Sequence, residues 1–283
     1  MNYGGRMNKI TKAIIPVAGY GTRRLPITKA IEKAMLPVGN RPIVDYTVED
    51  CIKAGIKDIY FVINDDSSQI EAFFGKNQRF EKYLKKRNKI DQLELIEPKE
   101  GVNFHYIRQN PDDRYGTAIP VALALEEIGT DEPVVVLMGD DFIYNFNSIS
   151  NVGQMETQFD GKNVVMLGVL INKNEVEKYG VIKVDKDNNF LEIVEKPTPE
   201  EAPSNLINVS KYILPSELLK TFVNYIKQND QNGEYYITDI INDFVADNHN
   251  MKVVPAIGQY LDGGTLEGWL KANEVVGRDL LKK

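Results

Sequence analysis

Residues 16–38 read PVAGYGTRRLPITKAIEKAMLPV and hold the densest chemistry of the chain. Gly19 and Gly21 follow an apolar run, and Thr22, Arg23, Arg24, Lys29 and Lys33 come next. Glycines after a buried strand let backbone N–H groups approach a phosphate or a base edge, and anions are favoured there. Two glycines alone are equally compatible with a tight structural turn, so the cations carry the reading. A triphosphate is polyanionic and engages several such side chains through charge-assisted hydrogen bonds.

Two familiar phosphate loops are excluded. A dinucleotide fingerprint needs a third glycine where Arg24 stands and an acidic residue closing the second strand about 20 positions on. Neither is present. A Walker A loop needs Gly-Lys followed by Ser or Thr, and the chain has no such tripeptide. These absences set a dehydrogenase aside.

Composition narrows the class further. The 283 residues carry 34 Lys and Arg against 41 Asp and Glu, a formal net charge of −7. An acidic chain without a strongly basic tract argues against a general nucleic-acid binder. One cysteine, Cys51, rules out an internal disulfide and a cysteine zinc cluster, and His105 and His249 are too few for a histidine-based metal site. Cys51 reads as a small apolar filler, and His105 as a packed core residue. The N-terminal segment lacks a signal-like apolar run, and no run approaches ~18 apolar residues, so a cytoplasmic chain without a membrane span is expected. Residues 1–6 read as an extension ahead of Met7.

The elements that must position the loop alternate in the first half. Residues 12–18 form a short continuous apolar run, as a buried parallel strand should, and 58–64, 103–108 and 133–138 also read as strands. Helices are expected over 42–54, 68–74, 80–95 and 116–128. Gly55 suits the end of the first, and Pro120 is tolerable in the first turns of the last. Strands alternating with helices build a parallel sheet covered on both faces. In the second half, 164–171, 206–214 and 251–257 read as strands and 180–185 with 190–195 as a hairpin around DKDNN. Helices are expected over 215–228, 238–247 and 266–281. The fold class is therefore α/β: a Rossmann-like, mixed but mostly parallel sheet flanked by helices, with a smaller sugar-facing β part. It reads as a single domain over 7–283, with a nucleotide-binding core to about 150 and the sugar-binding and C-terminal part over about 151–283.

The segment GYGTRRLPITKAIEKAMLP, residues 19–37, resembles the signature of the sugar-1-phosphate nucleotidyltransferases, and within them that of the bacterial UTP–glucose-1-phosphate uridylyltransferases. The likeness continues through Arg108-Gln109, Tyr115-Gly116-Thr117-Ala118, Gly139-Asp140-Asp141, Tyr179-Gly180-Val181, Glu195-Lys196-Pro197 and Asp262-Gly263-Gly264. Each piece is short; their order and spacing make the case. The polar insertion at 80–95 matches the uridylyl branch.

The resemblance implies transfer of a uridylyl group from UTP to glucose 1-phosphate by in-line attack on the α-phosphorus, with Mg²⁺ as cofactor. It implies Arg23, Lys33, Asp140 and Lys196 as catalytic residues, with Arg23 on the leaving phosphates and Lys33 on the α-phosphate. Ala18, Gly19, Gly21, Thr22, Gln109 and Gly116 would bind the nucleotide, and Gly180, Glu195, Lys196 and Asn205 the sugar. Asp140 and Asp262 would hold the metal, because Mg²⁺ takes one or two carboxylates plus substrate phosphates. Read without the resemblance, an acidic pair after a strand is equally a helix cap. The partners implied are the two small-molecule substrates and a second copy of the chain, as a homodimer or homotetramer.

Three features depart from the family pattern. Ala34 stands where a Glu commonly follows the lysine, Gly116-Thr117 is shared with thymidylyltransferases, and Lys211 replaces a usual Arg. Gly263-Gly264-Thr265 also resembles the wider superfamily. A thymidylyltransferase, another sugar-1-phosphate nucleotidyltransferase and a non-catalytic nucleotide-sugar-binding paralogue stay open.

Overall fold

A computed structural model describes residues 9–110, 114–145, 149–228, 233–247 and 249–282. The expected extension at 1–6 lies outside them. The first half contains β1 (Lys12–Pro16), β2 (Pro37–Val38), β3 (Arg41–Pro42), α1 (Ile43–Ala54), β4 (Asp58–Asn64), α2 (Gln69–Phe74), α3 (Gln78–Lys86), β5 (Asn103–Gln109), α4 (Ala118–Ile128), β6 (Val134–Leu137) and β7 (Asp141–Tyr144). The second contains α5 (Asn151–Gln158), β8 (Val164–Leu170), β9 (Gly180–Val184), β10 (Phe190–Glu195), β11 (Leu206–Leu214), α6 (Ser216–Gln228), α7 (Ile237–Ala246), β12 (Met251–Pro255), β13 (Gln259–Asp262) and α8 (Leu266–Leu280).

The central sheet runs β10-β9-β11-β6-β1-β4-β5, with β8 pairing β11 and β12 pairing β8. β1, β4, β5 and β6 are mutually parallel where they pair, and β11 runs antiparallel to β6, β8 and β9. β1, β4 and β6 are apolar at successive positions because both faces are covered. Ala13 and Ile15 enter the core on one side with α1 and α2, while Ile14 enters the core on the other with α4, α6 and α7. Phe61 and Val62 of β4 divide in the same way. Truncating a fully buried phenylalanine such as Phe61 costs about 3–5 kcal/mol. Cys51 is fully buried, as a filler should be.

A third, smaller core lies under α8, where Leu36, Val38, Ile43, Phe142, Leu261, Ala272 and Val276 meet. It fastens the end of the glycine-rich segment to the closing helix. β7 and β13 form a separate two-stranded antiparallel sheet beside it. Neither of those strands, nor α5, stood out in the sequence, because each is short and follows turn-rich residues.

Two expectations are corrected. The segment 80–95 is not one helix: α3 ends at Lys86, and single 3-10 turns occupy Ile90–Gln92 and Glu94–Ile96. Asn88 takes a left-handed φ of 55°, which a short polar side chain tolerates and a continuing helix does not. His105 is not a core residue. It lies on the edge strand β5 with a half-exposed side chain, its ring stacked on Tyr60 at 4.3 Å and Nε2 3.1 Å from Asp58 Oδ1.

Candidate active site

Parallel strands deliver their following loops to one rim of a sheet. At that rim a cleft of about 400 Å³ opens among the residues after β1, β4, β5 and β6. Its wall includes Ala18, Gly19, Gly21, Thr22 and Arg23 from the glycine loop, with Lys33, Gln109, Gly116 and Asp140. The nucleotide-side residues singled out in the sequence are thus brought together.

Gly21 adopts a left-handed φ of +64°, and its carbonyl accepts from Arg24 N–H at 2.8 Å and from the Thr28 hydroxyl at 2.9 Å. A Cβ there would sit 3.0 Å from Lys33 Cβ, so glycine lets the loop close on Lys33. A Cβ on Gly19 would meet nothing within 4 Å. Protein packing therefore does not account for glycine at 19. Arg23 is exposed and pairs with no acid among the described residues. Arg24 is turned away and buried, with Nη1 donating to the Thr265 carbonyl at 2.8 Å. Lys29 is exposed and does not line the cleft.

Gln109 ends β5 opposite Asn64, and its side-chain amide has no hydrogen-bond partner among the described residues. Gly116 has a φ of +127°, and a Cβ on it would lie 2.2 Å from the Tyr235 carbonyl oxygen. Only glycine fits there. Tyr235 N–H donates to the Tyr115 carbonyl at 2.9 Å, its own carbonyl accepts from Ala118 N–H at 2.9 Å, and Ile237 N–H donates to Thr117 Oγ1 at 3.0 Å. This clasp brings Glu234 into the cleft wall. Sequence reasoning missed Glu234, because its contact with Tyr115 spans more than a hundred residues and leaves no local pattern, and it missed Asn64, which only the pairing of β4 with β5 sets beside Gln109.

The carboxylates come from β6, β7 and β13. Asp262 is in register with Asp141, and Gly263 N–H donates to the Asp140 carbonyl at 3.0 Å. Lys33 Nζ pairs with Asp140 Oδ2. Burial raises the Asp140 carboxyl, but Lys33 and the charge of Lys211 outweigh it and hold the group below the usual carboxylate value. Asp141 points inward instead. Its Oδ1 pairs with buried Lys211, and its Oδ2 accepts from the Tyr260 hydroxyl at 3.0 Å. Burial first, then the charge of Asp140, push the Asp141 carboxyl up to about 6 against the pull of Lys211. Asp262 accepts from Gly264 N–H at 2.7 Å and from the Thr265 hydroxyl at 2.9 Å.

A hard divalent cation fits this donor set. Asp140 Oδ2, Asp262 Oδ1 and Lys33 Nζ all lie within 4 Å of the point where a Cβ on Gly264 would stand, so the absent side chain leaves a cradle between the two carboxylates. No group of three or more His, Cys, Asp or Glu surrounds a metal position among the described residues. Two protein carboxylates completed by substrate oxygens are a sufficient site for Mg²⁺.

The sugar-side residues sit apart from the cleft wall. Glu195 is in register with Gly180, where a Cβ would lie 2.8 Å from Glu195 Oε1, so glycine lets that carboxylate lie across the strand. Neighbouring side chains on a strand face opposite ways, so Glu195 and Lys196 share a face only if the strand stops. β10 ends at Glu195, and Lys196 turns into the left-handed region at φ 46°. Tyr179, whose carbonyl accepts from Lys196 N–H at 3.0 Å, packs edge-on to Tyr260 at 6.1 Å. That contact links the Lys196 corner to the sheet carrying Asp262. Asn205 is placed differently: it is exposed, and its amide donates to the Ile171 carbonyl at 2.9 Å. Tyr235 is buried while Tyr236 is exposed.

Comparison with known proteins gives the family. Residues 12–278 match the family model described as Nucleotidyl transferase. A provisionally named UTP–glucose-1-phosphate uridylyltransferase of Methanocaldococcus jannaschii is 38% identical over 277 residues, covering 95% of this chain and 94% of that protein. The UTP–glucose-1-phosphate uridylyltransferase of Streptococcus pneumoniae is 36% identical over 221 residues, 75% of this chain and 73% of that protein. The UTP-bound UDP-glucose pyrophosphorylase of Acinetobacter baumannii superposes with a TM-score of 0.83 at 28% identity, over 95% of this chain and 94% of that one. A match across almost the whole chain and relatives above 35% identity show that the chain belongs to the nucleotidyl transferase family.

Proposed function

We propose that this enzyme transfers a uridylyl group from UTP to glucose 1-phosphate, giving UDP-glucose and pyrophosphate. The observation that carries the reading is the placement of unpaired Arg23, Lys33 and the unpartnered Gln109 amide around one cleft beneath a glycine loop. Relatives and structural neighbours with uridylyltransferase names support the choice of substrates. The open space over Gly19 leaves room for a base or phosphate against the backbone. The Gln109 amide carries both a donor and an acceptor for a pyrimidine edge.

The reaction needs no covalent enzyme intermediate. An oxygen of the sugar phosphate attacks the α-phosphorus, the bond to the β-phosphate oxygen breaks, and pyrophosphate leaves with that electron pair. Arg23 holds the departing phosphates, and Lys33 neutralises charge at the α-phosphate. Glu195 and Gly180 orient the sugar hydroxyls, and Lys196 takes the sugar phosphate. Asn205 steadies the adjoining strand edge. Asp140 and Asp262 would hold a Mg²⁺, which would supply charge neutralisation for the phosphates. The strands before residue 150 thus serve the nucleotide, and those after it the sugar.

No helix among the described residues is long and apolar enough to cross a membrane. We place the enzyme in the cytoplasm, a reading supported by a single, buried thiol. Exposed Leu266, Leu270 and Leu280 on the closing helix support self-association as a homodimer or homotetramer.

Pyrophosphate release with glucose 1-phosphate, measured across UTP, dTTP, ATP and GTP, tests the reading. UTP is expected to dominate. Preference for dTTP would transfer the assignment to a thymidylyltransferase, and no release with any nucleotide would leave a binding protein.

A further inference from the structure

Arg23 and Arg24 are adjacent, yet only Arg23 lines the cleft. Arg24 is 4% exposed, which is costly for a guanidinium unless its surroundings compensate. Its Nη1 donates to the Thr265 carbonyl at 2.8 Å, and its plane lies over the Trp269 ring at 4.8 Å, while Nε has no hydrogen-bond partner. Trp269 in turn donates its indole N–H to the Pro37 carbonyl at 2.8 Å. Thr265, held at its carbonyl by Arg24, donates its hydroxyl to Asp262 Oδ2 at 2.9 Å. One buried side chain therefore connects the glycine loop to the turn that carries Asp262.

We infer that Arg24 is a positioning residue that locks the Asp262 turn to the glycine loop, so that a divalent cation at Asp262 and a triphosphate at Arg23 bind as a single event. The inference rests on the function proposed above and adds to it a residue that touches neither substrate nor metal. Arg suits the task where Lys would not. Its planar fork bonds a carbonyl and stacks on an indole at the same time. Groups that orient a metal ligand from behind change metal affinity by about 10–100-fold when removed.

The test is calorimetric titration of UTP with and without Mg²⁺ in wild type, Arg24→Met, Arg24→Lys and Trp269→Phe. The quantity read is the ratio of the two dissociation constants. Arg24→Met should shrink that ratio by about tenfold, with metal-free UTP affinity nearly unchanged. Arg24→Lys should recover little of it, and Trp269→Phe should lower it less. In an Asp262→Asn background, Arg24→Met should cost nothing further, because the two residues act through one link. Trp269 is the chain's single tryptophan, so its emission gives a reading independent of activity. Mg²⁺ with UTP should shift that emission in wild type and not in Arg24→Met. Full retention of the Mg²⁺ effect in Arg24→Met would overturn the inference alone, as would equal weakening with and without metal. A wild-type protein with no Mg²⁺ effect on UTP binding would overturn the proposed function and this inference together.

Discussion

Lys33 and Asp140 stand 107 positions apart in sequence and are joined by an ion pair at the mouth of the cleft. The cation assigned to the α-phosphate and the carboxylate assigned to the metal thus hold one another. On the proposed function, a bound metal would compete for the carboxylate and leave Lys33 free for phosphate. Without substrate, the pair with Lys33 keeps the Asp140 carboxylate ionised, although its side chain is 37% exposed.

Replacing Asp140 by Asn keeps the shape and removes the charge. Turnover should fall by about a thousandfold, the scale of losing one preorganised charge-stabilising group. Circular dichroism should be unaltered. Chelation of divalent metal should abolish wild-type turnover, and added Mg²⁺ should restore it while leaving Asp140→Asn inactive. A variant that turns over at the wild-type rate would remove Asp140 from the chemistry.

Gly116→Ala tests the clasp between the 115–118 loop and Tyr235. The new Cβ would stand 2.2 Å from the Tyr235 carbonyl oxygen, at a φ of +127° that side chains avoid. The loss should be about 2 kcal/mol or more in denaturant unfolding. UTP affinity should weaken as well, since the loop beside Gln109 must shift. Unchanged stability and affinity would show that this contact relaxes freely.

The parts that were legible in the sequence share one property: each is local. The apolar runs of β1, β4 and β6 announce strands covered on both faces, and Gly19 through Lys33 announces an anion loop within a single stretch. The parts that were not legible depend on distant pairing. Asp141 reads as a capping residue until Lys211 and Tyr260 are seen around it. Arg24 reads as another phosphate cation until Thr265 and Trp269 close over it. Four neighbouring cations look alike in sequence, and burial sets Arg24, closed in by Thr265 and Trp269, apart from Arg23 in the cleft wall.

Lys211→Met should expose the cost of the inward carboxylate. Lys211 and Asp141 are both buried, and removing one partner of such a pair costs about 3–5 kcal/mol. The deficit should depend on pH with a definite sign. The Asp141 carboxyl already lies at about 6 in the folded protein, above its unfolded value, so its charged form is the penalised one. Loss of Lys211 raises it further. The added penalty is full at pH values above the variant's folded pKa and disappears below the unfolded value of about 4. Unfolding measured from pH 8 down to pH 4 should show the two proteins converging toward acid. A constant gap would assign the loss to packing.

Glu32 supplies the last prediction, because it sits directly before Lys33 and has no role in the cleft. Its carboxylate accepts from the Ser67 hydroxyl at 2.7 Å, from Ser68 N–H at 3.2 Å and from Gln69 N–H at 2.9 Å, at the start of α2. Gln69 answers by accepting from Glu32 N–H at 3.1 Å and donating to the Ala30 carbonyl at 2.8 Å. Arg108, next to Gln109, holds the same loop through the carbonyls of Asp65 at 2.8 Å and Ser67 at 3.0 Å. The Gln109 end of β5 and the segment carrying Lys33 are therefore tied to one loop. Glu32→Gln removes the charge from these bonds and presents an amide to donors. It should cost about 1–2 kcal/mol in unfolding. If the clamp sets Lys33, turnover should fall several-fold while KM for glucose 1-phosphate stays constant, since the sugar side is untouched. Loss of stability with turnover unchanged would confine Glu32 to holding α2.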